Sequence, residues 1–118
     1  LRQASRSALV IVSTYVTAVS YSGSVAIPEE TADFVKALGS AGIPHIVVSF
    51  GNPYLIAEFP DVRAYILAWS GSEASQTAAA GALLGDFDIT GRSPTRIPPF
   101  FEIGDGIMIP AKGTNRDR

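Results

Sequence analysis

The side chains of this sequence that could do chemistry are few and scattered. Its single histidine, His45, opens the run His45-Ile46-Val47-Val48-Ser49-Phe50. An imidazole exchanges protons near neutral pH, but open α/β sheets bind ligands beyond the carboxyl ends of their strands. His45 stands at the amino end of its run, so it reads as a structural histidine rather than a general base. A Ser–His–acid hydrolase needs a serine on a G-x-S-x-G elbow, and no such pentad occurs. Gly71-Ser72-Glu73 lies where an elbow would, but the flanking glycines are missing, and capping of the following helix accounts for Ser70, Ser72 and Glu73 without catalysis. Neither phosphate-cradling glycine motif is present. Gly104-Asp105-Gly106 reads as a turn, and Asp86 and Asp88, with no third ligand nearby, read as a solvated loop. No metal or cofactor is implied. Glu58, Asp61, Glu73, Asp86, Glu102 and Asp105 could supply the carboxylate pair of a glycosidase, but spacing alone pairs no two of them. Gly51-Asn52-Pro53-Tyr54 directly follows a buried run, at the edge where sites form. Asn52 precedes proline and is pushed towards extended backbone, and Tyr54 offers an apolar ring with a polar tip. Two readings fit it equally: a turn that ends the strand and packs Tyr54 into an interface, or a ligand contact.

The elements that must position these residues alternate. Ala8-Leu9-Val10-Ile11-Val12 is a continuous apolar run rich in β-branched residues, as expected of a strand covered on both faces, and Ser13 to Ser24 reads as its end and a loop. Pro28 suits a first helical turn, and Glu29, Glu30 and Asp33 sit near the positive end of that helix. Thr31, Phe34, Val35 and Leu38 form its buried stripe, with Gly39 as the stop. His45–Phe50 is a second strand, Leu55 to Phe59 a helical turn, and Val62 to Trp69 a third strand. Ser70-Gly71-Ser72-Glu73 has capping-box spacing, with Ser72 as a rival cap. Ala74, Ala78 and Ala82, extended by Ala79 and Leu83, form a small-residue face, and Gly85 ends the helix. Asp86 to Arg118 carries Gly91, Pro94, Pro98, Pro99, Gly104, Gly106 and Pro110, which predicts an extended, wrapping segment. Ile107-Met108-Ile109 is a candidate edge strand, and Lys112 to Arg118 a polar, frayed tail.

This order predicts an α/β fold: a mostly parallel sheet flanked by helices, a flavodoxin-like sandwich, with an extended C-terminal segment. Three strands make a thin sheet, so the fold reads as incomplete, its missing strands preceding residue 1. A net charge of −2, with no cluster of basic residues, argues against a nucleic-acid surface. At 47% apolar and 17% charged, the chain can bury a core. It has no cysteine, which leaves the redox compartment unread. No signal peptide is visible and no apolar run nears the ~20 residues of a membrane span.

Several stretches resemble the C-terminal α/β-sandwich domain of glycoside hydrolase family 3, most closely its β-N-acetylhexosaminidase-like branch. Val47-Val48-Ser49-Phe50-Gly51-Asn52-Pro53-Tyr54 is similar to a signature stretch there. Ala64 to Trp69 resembles the strand before the Ser-rich cap, and Ser72 to Gly85 the Ala-rich helix. Ile89-Thr90-Gly91-Arg92-Ser93-Pro94-Thr95-Arg96-Ile97-Pro98, with Gly104 to Ile107, resembles the G-R-L-P-V-S-I-P tail and its glycine turn. Ser93 stands where a leucine is usual, and Thr95 and Arg96 replace a small apolar residue and a serine. The resemblance implies that residues 1–111 are an N-terminally truncated domain of this family and 112–118 a polar tail. It further implies an accessory domain that packs on a catalytic TIM-type barrel absent from this chain and shapes its carbohydrate site. Relatives of the β-glucosidase type often carry a carboxylate acid/base in the loop after the first strand here. Tyr15 to Ser24 holds no Asp or Glu, which favours the hexosaminidase-like branch and implies that no catalytic residue belongs to this chain. Gly51, Asn52, Pro53, Tyr54, Ser70 and Ser72 are then the candidates to face substrate or barrel. Two alternatives remain: a stand-alone, non-catalytic interaction module that forms a homo-oligomer through uncovered sheet edges, and a small esterase using Ser72.

Overall fold

The computed structural model describes residues 3–15 and 27–113. The chain divides into two compact units, Leu1–Ser72 and Glu73–Arg118. Three parallel strands carry the first unit: β1 (Val10–Thr14), β2 (His45–Ser49) and β3 (Tyr65–Leu67), in the order β1-β2-β3. With helices α1 (Glu29–Ser40) and α2 (Glu73–Leu84), this is the expected α/β arrangement, an incomplete sandwich.

Register explains which residues form the core. Val12, Val47 and Tyr65 are partners across the sheet and therefore share a face. Ala32 and Val35 of α1 pack there, together with Ile27, Leu55 and Phe59. Ala4, Leu38 and Ile43 extend the core beside Val10, Val12 and Phe34. The opposite face is less covered at β1, where Ile11 is 47% exposed. The expectation of a strand covered on both faces therefore fails at β1, an edge strand whose burial alternates. Its pairing also begins later than the apolar run, at Val10, because register with β2 sets its start.

Pro28 caps α1 from just outside the helix, and Glu29 and Glu30 occupy its first turn. The buried residues are Ala32, Val35 and Leu38, with Phe34 half-buried. The helix runs through Gly39, and Gly42, at φ +69°, ends it. The Gly42 N–H donates to Gly39 O and the Ile43 N–H to Leu38 O, the paired closure of a Schellman motif. Ile43 and Leu38 complete it by meeting in the core.

In the second unit, α2 starts at Glu73, so Ser72 holds the capping position and the Ser70–Glu73 box is out of register. Of its expected small-residue face, Ala79 is buried and Ala82 and Leu83 are half-buried, as is Ser75, while Ala74 and Ala78 are exposed. Gly85, at φ +76°, ends α2 by the same closure, with Gly85 N–H donating to Ala82 O and Asp86 N–H to Gly81 O. The breaker-rich segment does not simply extend. It folds back on itself: Ile89 and Ile109 exchange both backbone bonds, Ser93 N–H donates to Asp105 O, and Gly104 N–H to Ser93 O. Ile109 thus makes an isolated bridge to Ile89 rather than an edge strand with its two predecessors. Gly106 passes so close to Gly91 that a Cβ there would strike the Gly91 carbonyl. Ile97 and Phe101 close a tight turn over a cis Pro98–Pro99 peptide. The residues that depart from the family pattern are used locally: the Ser93 hydroxyl donates to Thr95 O at 2.7 Å, and Arg96 grips Glu102 at 2.8 Å. Most of the loop read over Ser13–Ser24, and the end of the polar tail, lie outside the described residues.

Candidate functional site

The three strands end level. Thr14, Ser49 and Leu67 are partners in register, so the segments that follow them leave one edge of the sheet together. The floor beneath that edge is polar but satisfied. The Thr14 hydroxyl donates to Val48 O at 3.2 Å, and the Ser49 hydroxyl, fully buried, donates to Asn52 O at 2.8 Å.

Gly51-Asn52-Pro53-Tyr54 is the turn that links β2 to the 3₁₀ helix Pro53–Glu58. Asn52 is buried, and its side-chain oxygen accepts the Tyr54 N–H at 2.7 Å, capping that helix, with Pro53 as its first residue. A third tie comes from β3, where the Tyr65 hydroxyl donates to Pro53 O at 3.0 Å. Burial pushes the Tyr65 phenol above its ordinary pKa, opposed by hydrogen bonding to Ser49 and to the Ile56 backbone. Asn52 is thus committed to structure, whereas Tyr54 on the same loop is 49% exposed.

Ser70 and Ser72 follow β3 at the same edge. The Ser70 hydroxyl donates to the Ser72 hydroxyl at 3.0 Å, and the Ser72 N–H donates to Ser70 Oγ at 3.2 Å. The six residues singled out from sequence therefore share one edge, Gly51 to Tyr54 after β2 and Ser70 and Ser72 after β3. Three others at that edge were not singled out. Tyr15, the first residue past β1, stacks on Phe50 with ring centroids 4.8 Å apart and planes 6° from parallel. Tyr65 lies within the third strand expected over Val62 to Trp69, with no role of its own there. Trp69 has a left-handed backbone, φ +67°. An exposed-type residue immediately after a strand was a usable signal for Tyr15; no local pattern announces the other two.

His45 sits at the other end of β2, half-buried, with Nδ1 hydrogen-bonded to Ile43 O at 2.8 Å. About 13 Å of strand separates it from the carboxyl edge, so the only imidazole of the chain is not placed to activate Ser72. Of the six carboxylates, Glu58 and Asp61 are exposed in the first unit. In the second, Glu102 pairs with Arg96, and Asp105 accepts the Glu102 N–H at 2.8 Å. Among the described residues, no three of His, Asp, Glu and Cys converge as a metal site, and no helix is long and apolar enough to cross a membrane.

Against known proteins, one family model, described as the glycosyl hydrolase family 3 C-terminal domain, matches residues 1–112. No curated protein and no solved structure matches the chain.

Proposed function

The chain belongs to the family of glycosyl hydrolase family 3 C-terminal domains, and on that premise we propose that it serves a β-N-acetylglucosaminidase-like enzyme as a wall of the sugar site. It is an accessory domain of a family 3 glycoside hydrolase, and such domains normally pair with a catalytic barrel. In this reading the bond-breaking carboxylates reside on the barrel, and residues 51–54, with Ser70 and Ser72, face it. The observation that carries the reading is the loop after β2. It is tied down through Ser49, Asn52 and Tyr65 while the Tyr54 ring stays half open. A rigid loop presenting an amphipathic ring shapes and orients a ligand without moving a proton.

The test is an assay of the isolated chain on an aryl N-acetyl-β-glucosaminide. No turnover above the blank is expected; robust turnover overturns the division of labour. In the barrel-containing enzyme, Tyr54→Ala should raise KM more than it lowers kcat.

A second reading, a self-associating interaction module, is favoured by the open side of β1. Leu9 and Ile11 are 46% and 47% exposed beside a shallow depression of about 510 Å³ that Ala4, Val10 and Phe34 also line. Uncovered strand edges invite pairing with another chain. Light scattering that stays at the mass of one copy at high concentration removes this reading.

A further inference from the structure

We infer that Tyr15 and Trp69, at the ends of β1 and β3, form an aromatic shelf that holds the C–H face of a pyranose ring. The Tyr15 ring lies flat on Phe50, itself 5% exposed, which fixes its plane, yet Tyr15 remains 54% exposed. An aromatic ring kept open to solvent and backed by a buried one is a prepared surface: its orientation is set before any ligand arrives. Gly71 lies beside that ring: a Cβ there would stand 3.4 Å from Tyr15 Cδ1, in van der Waals contact, so a branched side chain would spread over the ring edge. Two residues earlier stands Trp69, 43% exposed. The Ser70 N–H donates to Ala68 O at 2.8 Å, closing a three-residue turn around Trp69 at φ +67°. A γ-turn with positive φ is rare and strained, and more so for a bulky residue. Such strain persists where the surroundings impose it, and it concentrates at binding sites. Here Ala68 N–H is anchored to Ser49 O at 2.9 Å immediately before the turn.

Aromatic faces carry negative charge density and edges positive. The axial C–H groups of a β-linked pyranose are weakly positive and apolar, so they suit such a face, whereas an acyclic polyol offers no flat face to stack. The choice of sugar rests on the proposed glycosidase role; the shelf itself rests on Tyr15, Phe50, Trp69 and Gly71.

Trp69 is the only tryptophan, so its emission reports on this place alone. The 118-residue chain is titrated with N,N′-diacetylchitobiose, with mannitol as the acyclic control. A saturable change in Trp69 emission is expected with the disaccharide and none with mannitol. Tyr15→Ala and Gly71→Val, one removing the ring and one crowding it, should each weaken binding roughly two- to ten-fold, as expected for loss of one ring contact. Lys36→Ala, at an exposed position of α1, should titrate like the parent, and circular dichroism checks that each variant is folded. A non-saturating response to the disaccharide, an equal response to mannitol, or parent-like titration of both shelf variants overturns the proposal. None of these results bears on the accessory role, which is tested by turnover.

Discussion

Asn52 shows how a residue that looks available for chemistry can be consumed by structure. Its side chain caps the helix Pro53–Glu58 from a buried position. Asn52→Ala removes that acceptor and leaves the Tyr54 N–H without it, so a loss of about 1–2 kcal/mol is expected in urea unfolding. Tyr65 makes a different prediction. Burial raises its pKa, so the fold favours the neutral phenol. The unfolded chain ionises near the ordinary value of 10.0, earlier than the folded one. The Tyr65 contribution is therefore intact below that pH and is lost as pH climbs through the raised folded value. Melting temperature should fall across this alkaline range in the parent and fall less steeply in Tyr65→Phe. Neither role was legible locally. The cap needs the register of the following helix, and the Tyr65 bond joins residues twelve apart that only the sheet brings together.

At the level of elements, legibility followed the contrast between apolar and polar positions. The β2 run was read almost to the residue because it is continuous, β-branched and buried. The covered face of α2 is legible only in part, in Ala79, Ala82 and Leu83 but not in Ala74 and Ala78, because an alanine-rich helix has little such contrast and periodicity cannot choose among adjacent faces. The sequence points to Gly39 as the stop of α1, with Gly42 behind it; the core contact of Ile43 with Leu38 decides for Gly42. Gly42→Ala would force a Cβ into left-handed backbone and should cost about 1–2 kcal/mol in thermal or chemical unfolding. Gly39→Ala, inside the helix with ordinary contacts, should be neutral or stabilising by up to about 1 kcal/mol.

For the whole molecule, the α/β order was evident from alternation, while the back-folding of residues 86–113 was not. Glycine and proline density forecasts the lack of regular elements, but it does not say which backbone groups will find one another. The sheet of the first unit has β1 and β3 as its two edges, and the face of β1 that carries Ile11 is open. If copies associate there, Ile11→Lys should shift the scattering mass to that of one copy while leaving the circular dichroism spectrum unchanged, since a charge on an exposed strand position opposes pairing.

The crossing of Gly106 over Gly91 has an evolutionary corollary. Ile89 with Ile109, and Ser93 with Gly104 and Asp105, are joined through backbone hydrogen bonds, which any residue but proline can donate. Substitutions at Ile89, Ser93 or Ile109 that keep the backbone N–H leave these bonds available, whereas the buried Ile97 and the Arg96–Glu102 pair tie the arm through side chains. Gly106 is the exception to this tolerance, since a Cβ there would strike the Gly91 carbonyl and push the two segments apart.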